Sequence, residues 1–190
     1  PGVYDGLFNE PSYVQLESGE YVWYRLDGSK YGFSSAGKLL WLDDEKGNRL
    51  KVEHDMNGLP LSVTDTASGR ELAFHYQDGL LESISGPVTT HVADGVWVTY
   101  GYDSNLNLTS VTYADGSGYS YVYDDLTDIH NLTKKEDALD HQLMIWGYDG
   151  SDRAITHTSR DGKGMNITYV SDTEVEVTDA YGVDRTYQIG

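Results

Sequence analysis

A short pattern recurs about seven times along this chain, and that recurrence limits the fold more than any other feature. Each copy closes on an aromatic residue or a histidine, and successive closing residues are 21 to 26 positions apart. We call these closing residues the anchors: Phe33, His54, Tyr76, Tyr102, Tyr123, Tyr148 and Tyr169. Such spacing predicts a tandem repeat in which each copy is one small structural unit.

The residues before each anchor alternate between apolar and polar side chains. Leu50, Val52 and His54 would share one face of a strand, with Lys51 and Glu53 on the other. A period of two residues with one apolar face indicates a half-buried β-strand. No segment shows the 3.6-residue period of a helix, so we predict an all-β chain.

Two turns and a second strand complete each copy. Leu39 and Leu42 lie six and nine positions after Phe33, and this offset of three predicts a bulge in the second strand. A later turn carries a glycine, which adopts left-handed backbone conformations without steric cost. The fifth copy has Asp140 and His141 where this glycine is expected. The predicted turn glycines are Gly47, Gly69, Gly95, Gly116, Gly162 and Gly182.

A single copy therefore contains two strands and two turns. An isolated hairpin cannot bury its apolar face, whereas neighbouring repeats can pair into one continuous antiparallel sheet. We assign the repeats to residues 31–190 and a less regular β lead-in to residues 1–30. Since no linker interrupts the pattern, we predict a single domain over residues 1–190.

The charge and composition exclude several classes of function. The net charge is −18, from 31 acidic and 13 basic residues, which would repel nucleic acid and anionic membranes. The absence of cysteine excludes disulfides, thiolate catalysis and cysteine-based metal sites. No apolar run approaches the roughly 18 residues of a membrane span. We therefore expect neither nucleic-acid binding nor membrane insertion.

The repeats resemble the Rhs/YD-repeat family, which is named for its Tyr-Asp dipeptide. The resemblance covers about residues 20–190, with His54 and the fifth copy, from Tyr123 to Trp146, as departures. The matching segments are Tyr102-Asp103 with Leu106-Asn107-Leu108 and Asp115-Gly116, Tyr148-Asp149 with Asp161-Gly162, Asp179-Ala180-Tyr181-Gly182, and the run from Asp44 to Leu50.

The resemblance implies a long antiparallel sheet that curls into a hollow shell. In polymorphic bacterial toxins and insecticidal toxin complexes this shell encloses a C-terminal toxin, and teneurins use a similar shell in cell adhesion. We therefore expect a non-catalytic shell segment of a large secreted or cell-surface bacterial protein of the toxin-encapsulating type. Its partners would be further Rhs repeats and the cargo domain of a longer parent chain.

No group of residues indicates catalysis, a cofactor or a metal site. None of the six histidines forms a close ligand pair such as His-Glu-x-x-His. Asp103, Asn105 and Asn107 imitate the start of a calcium loop, but Leu108 and Ala114 stand where such a loop needs Gly and Glu. The Asp103 segment is therefore interpreted as a turn, and the chain as a protein that is not an enzyme.

An adhesive or carbohydrate-binding β module is the alternative function. Tryptophan rings can form platforms for sugars, although aromatic residues on strands more often pack against the fold. Trp97 is the candidate glycan contact, because it alternates out of phase with Val96, Val98 and Tyr100.

Overall fold

The computed structural model describes residues 3–5 and 12–189, and its regular elements are all β-strands. Slightly more than half of the chain lies in strands, and the described residues contain no helix. The all-β, antiparallel prediction is confirmed. The chain divides into two compact units, residues 1–97 and 98–190. The assignment of a single domain to residues 1–190 stays a prediction.

The first unit is an antiparallel meander in which each strand pairs with the next along the chain. Its described strands contact only their sequence neighbours within the unit, so they form a single layer. They are β1 (Val3–Asp5), β2 (Tyr13–Glu17), β3 (Glu20–Tyr24), β4 (Lys30–Phe33), β5 (Leu39–Asp43), β6 (Arg49–His54), β7 (Pro60–Asp65), β8 (Glu71–Gln77) and β9 (Leu80–Ser85).

The second unit repeats this architecture, and its first strand begins two residues before the boundary. Consecutive strands again pair antiparallel. They are β10 (Val96–Tyr102), β11 (Leu108–Tyr113), β12 (Gly118–Val122), β13 (Lys134–Asp137), β14 (Gln142–Tyr148), β15 (Ala154–Ser159), β16 (Gly164–Ser171), β17 (Glu174–Asp179) and β18 (Asp184–Gln188).

The pairing register separates an aromatic face from a face of small polar side chains. In the second unit Tyr100 lies opposite Val111, and Val111 lies opposite Tyr119. One position away, Ser110 lies opposite both Gly101 and Ser120. Alternation along a strand places the two series on opposite faces, as the period-two pattern predicts.

A bulge interrupts the second strand of most repeats, as the sequence predicts. Phe33 pairs with Leu39 but its neighbour Gly32 pairs with Trp41, so Leu40 is left without a cross-strand partner. The extra residue returns Leu39 and Leu42 to the same face, which explains their offset of three. Equivalent unpaired residues seven positions after the anchor are Leu61, Thr109 and Ile155.

The lead-in of residues 1–30 is more regular than its sequence indicates. Residues 1–2 and 6–11 lie outside the described residues, but β2 and β3 pair along their full length. The core of both units is thin. No described large side chain is fully buried. The buried hydrophobic residues are all valines: Val22, Val52, Val92, Val111 and Val175.

Candidate functional site

The anchors lie at or beside the ends of the first strands of the repeats. Tyr76 lies one residue before the end of β8, Tyr169 lies two before the end of β16, and Tyr123 directly follows β12. In six of the seven repeats the pairing register shifts at the anchor. The sequence period therefore follows the position of the bulges. The other four anchors are the last residues of their strands: Phe33, His54, Tyr102 and Tyr148.

Ten turns of the described chain share one hydrogen-bonded geometry. In the turn from Asp44 to Asn48, the N–H of Asp44 donates to the Asn48 carbonyl at 3.0 Å, and the N–H of Gly47 donates to the Asp44 carbonyl at 3.1 Å. The fourth residue always has a positive φ, between 59° and 93°. Seven of the ten turns have Gly there and three do not: Leu106, Asp140 and Asp152.

The predicted turn glycines fall on these and on other turns. Four occupy the fourth position of the shared turn: Gly47, Gly116, Gly162 and Gly182. Gly69 and Gly95 lie in turns of different hydrogen bonding, also with positive φ. Asp140 takes the left-handed conformation at the place where the fifth copy lacks its glycine, so the turn is kept although its sequence signal is lost.

Six of these turns begin with an aspartate whose carboxylate accepts two backbone N–H groups. In the last copy, Oδ1 of Asp179 accepts the N–H groups of Val183 and Tyr181, and these bonds lower the pKa of the Asp179 carboxyl. The other members are Asp44, Asp55, Asp103, Asp137 and Asp149. In the Asp103 segment, which imitates a calcium loop in sequence, the Asp103 carboxylate thus accepts the hydrogen bonds that hold the turn.

Trp97 lines an open groove of about 810 Å³ in the first unit. Its indole Nε1 donates to the Pro87 carbonyl at 3.3 Å, and 36% of the residue stays exposed. Gly86 makes room for the ring, because a Cβ there would lie 2.9 Å from that nitrogen and 2.7 Å from Leu72 Cδ2. The groove is lined by Leu50, Val63, Leu72, Pro87 and Val88 besides Trp97.

Polar side chains border the same groove. Asp65, Arg70, Glu71 and Thr89 complete its lining. The Asp65 carboxylate accepts the N–H of Ala67 and the Ser68 hydroxyl, and Glu71 accepts the Thr64 hydroxyl at 3.1 Å. The groove therefore combines an aromatic wall and an aliphatic floor with charged groups at its border, an arrangement suited to a ligand with apolar and polar parts.

The other three tryptophans are packed against neighbouring side chains. Trp41 donates to Glu20 at 2.8 Å, and the Arg49 guanidinium carbon lies 3.9 Å from its ring centroid. The ring centroids of Trp23 and Tyr31 lie 5.5 Å apart, and those of Trp146 and His157 lie 6.0 Å apart. These contacts give the three rings structural roles, whereas Trp97 borders an open groove.

Among residues 3–5 and 12–189, no group of three or more His, Asp or Glu side chains is arranged to hold a metal ion. This part of the chain also has no helix with the length and hydropathy needed to cross a membrane.

Comparison with known proteins gives one curated relative. No family model matches the chain. Teneurin-1 of Gallus gallus is 27% identical over an alignment of 174 positions, which covers 82% of this chain and 6% of that protein. The chain therefore corresponds to a small part of that relative's length.

Solved structures give weaker likenesses. The Tc holotoxin pore of Photorhabdus luminescens aligns with a TM-score of 0.42 and 12% identity, over 88% of this chain and 13% of that chain. A porin-like protein from Bacteroides uniformis aligns with a TM-score of 0.43 and 13% identity, over 97% and 92%. At TM-scores below 0.5 these likenesses place no constraint on the fold, and the relationship rests on sequence. The Tyr-Asp repeats and the similarity to Teneurin-1 together relate this chain to the Rhs/YD-repeat family.

Proposed function

We propose that this chain is a non-catalytic wall segment of a larger secreted or cell-surface bacterial Rhs/YD-repeat protein of the toxin-encapsulating type. The single-layer sheet of each unit carries the proposal. Globular domains normally bury a sheet against a second layer. Here the buried hydrophobic side chains of the described part are all valines, and large side chains such as Leu72, Met144 and Met165 remain 36–42% exposed.

A repeat sheet of this kind suits a structural role beside further repeats. Each repeat contributes two strands, so a wall can be extended without a new core. The further repeats of the parent chain and its cargo domain are the proposed partners. They would cover surface that the 190 residues leave open.

The proposal is tested by comparing the chain alone with its full-length parent. A dye that binds exposed apolar surface should fluoresce strongly with the isolated chain and weakly, per copy, with the parent. An electron-microscopy map of the parent should place these residues in a continuous sheet with neighbouring repeats. A map in which the 190 residues form a separate two-layer domain would contradict the wall role, as would glycosidase, esterase or nuclease turnover by the purified chain.

A carbohydrate-binding role is the second candidate, and the Trp97 groove is the observation that favours it. An indole face and aliphatic floor suit the C–H face of a sugar ring. Asp65, Arg70 and Glu71 place carboxylate and guanidinium groups at the border, where hydroxyls would lie. The volume of about 810 Å³ is in the range of ordinary ligand sites.

A glycan array separates this role from the plain wall. Trp97→Ala should abolish any glycan signal, and Gly86→Ala should weaken it, because its new methyl group displaces the ring and Leu72. Tyr187→Ala is the control, since Tyr187 is an exposed aromatic residue, at 49%, outside the groove. An array without signal, or a signal that Trp97→Ala leaves intact, rejects the groove as a sugar site.

A further inference from the structure

The loop of residues 123–133 between β12 and β13 is ordered by its own polar groups. Asp125 accepts the N–H of Thr127 at 2.8 Å and the Asn131 side-chain amide at 3.1 Å. Asp128 accepts the N–H of His130 at 2.8 Å. These bonds hold the loop in one conformation although five of its eleven residues are exposed.

The same loop is fixed to the neighbouring turn of residues 103–107. Asn107, only 7% exposed, donates its side-chain amide to the Ile129 carbonyl at 2.8 Å. The Asn107 side-chain oxygen lies 2.7 Å from Nδ1 of His130. Loop and turn therefore form one continuous surface.

This rigid surface presents large apolar side chains to solvent. Leu126 is 100% exposed, Leu106 68% and Ile129 51%. Leu106 directly precedes Asn107, and the side-chain amide of Asn107 donates to the carbonyl of Ile129. The exposed residues Leu106 and Ile129 therefore lie at the same contact between turn and loop. We call Leu106, Leu126 and Ile129 the loop patch.

Leu106 contributes little to the stability of the fold, for two reasons. It holds a φ of 67° at a turn position where seven of the ten equivalent turns have Gly. The left-handed conformation is sterically unfavourable for a residue with a Cβ. Its exposed side chain gains little from burial within the fold. Residues that break local rules in this way often serve binding instead of folding.

The charge around the loop patch indicates what it contacts. Asp103, Asp124, Asp125 and Asp128 lie in the same turn and loop. No Lys or Arg occurs from residue 71 to residue 133. Like charges disfavour a second copy of this chain and an anionic membrane, whereas a basic surface would be attracted.

We propose that the loop patch docks a basic amphipathic segment of a protein partner, with apolar side chains on Leu106, Leu126 and Ile129 and Lys or Arg side chains against the surrounding carboxylates. Order before binding favours such a role, because the loop would lose little conformational entropy on contact. The docking is independent of the wall role.

The test uses the chain of 190 residues and a fluorescent 14-residue helical peptide of Lys and Leu, with a Glu and Leu peptide as its acidic counterpart. Fluorescence anisotropy should show that the Lys peptide binds and that the Glu peptide does not. Leu126→Ser should weaken it at least about tenfold, as expected for loss of one buried Leu contact. Leu26→Ser is the matched control, because Leu26 is 72% exposed in an equivalent turn of the first unit.

Leu106→Gly gives a readout that a purely structural residue would not show. It should weaken peptide binding and yet raise the melting temperature, because Gly relieves the left-handed strain. Equal weakening by Leu26→Ser and Leu126→Ser would overturn the proposal, since it would mean attraction by overall charge alone. Self-association, or binding to neutral lipid vesicles, that depends on Leu126 would assign the patch to another occupant and also overturn it.

Discussion

Two glycines in equivalent turns allow a direct test of the shared turn geometry. Gly47 is the fourth residue of the turn from Asp44 to Asn48 and has a φ of 83°. Gly150 is the second residue of the turn from Asp149 to Arg153 and is not among the positive-φ glycines. A Cβ at either position would meet no atom within 4 Å. The two sites therefore differ in backbone conformation and not in available space.

Alanine should have opposite effects at the two sites. At Gly47 the left-handed conformation costs alanine about 1–2 kcal/mol, partly offset by the about 0.4–1 kcal/mol that it gains from a less flexible unfolded chain. The net effect is destabilisation by about 1 kcal/mol. At Gly150 only the gain applies, so Gly150→Ala should stabilise by about 0.4–1 kcal/mol.

Thermal and urea denaturation followed by circular dichroism measure the difference. For a chain of this size, 1 kcal/mol corresponds to about 2–4 °C in melting temperature. Gly47→Ala should melt at a lower temperature than the wild type and Gly150→Ala at a slightly higher one. The circular dichroism spectra of both variants below the transition should match that of the wild type. If Gly47→Ala melted at or above the wild-type temperature, the positive φ would not be the reason that glycine occupies the fourth turn position.

Three further outcomes are expected. Tyr123→Ala should lower the melting temperature much more than Tyr181→Ala, because Tyr123 is half-buried and Tyr181 is 77% exposed. The Ser159 hydroxyl and Lys163 lower the pKa of Asp161 to about 2, below its unfolded value of about 3.9. Its stabilisation is therefore present above about pH 4 and lost as the pH falls towards 2. In acid denaturation the stability of the wild type should fall over this range more than that of Asp161→Asn. The hydrogen bond that Tyr24 donates to Glu17 raises the Tyr24 pKa to about 12, so its stabilisation is lost as the pH rises from about 10 to 12. Burial raises the pKa of several other tyrosines as well, so ultraviolet titration should find one late tyrosine fewer in Glu17→Gln than in the wild type.

The sequence predicts what depends on neighbours along the chain. Alternation identifies strands such as β6, and the offset between Leu39 and Leu42 identifies the bulge at Leu40. Turns without Gly are harder to recognise, because Leu106 and Asp152 adopt the same conformation with no common sequence signal. Only their hydrogen bonds identify them as copies of one turn.

Contacts between distant segments are the part that the sequence does not predict. Trp97 is marked by its phase in the strand, but its groove depends on Leu50 and Leu72, which are more than 20 positions away. The docking of His130 on Asn107 likewise joins residues 23 positions apart, and nothing in their sequence indicates that they meet. Both sites lie beside insertions that lengthen the repeat, at residues 86–95 and 123–133, and longer repeats are therefore the sequence signal to follow.

The strong acidity of the chain has a structural origin in its turns. Six aspartates open turns of the same geometry and accept backbone N–H groups there, and the Asp103 and Asp179 carboxylates have lowered pKa values for that reason among others. Because the core is thin, these turns and the strand pairing must specify the register that a larger core would otherwise fix. The charge of these carboxylates is thus no evidence of a bound cation. Function is better sought where the turn pattern is broken, at the inserted loops with Trp97 and Leu126 and at the left-handed Leu106.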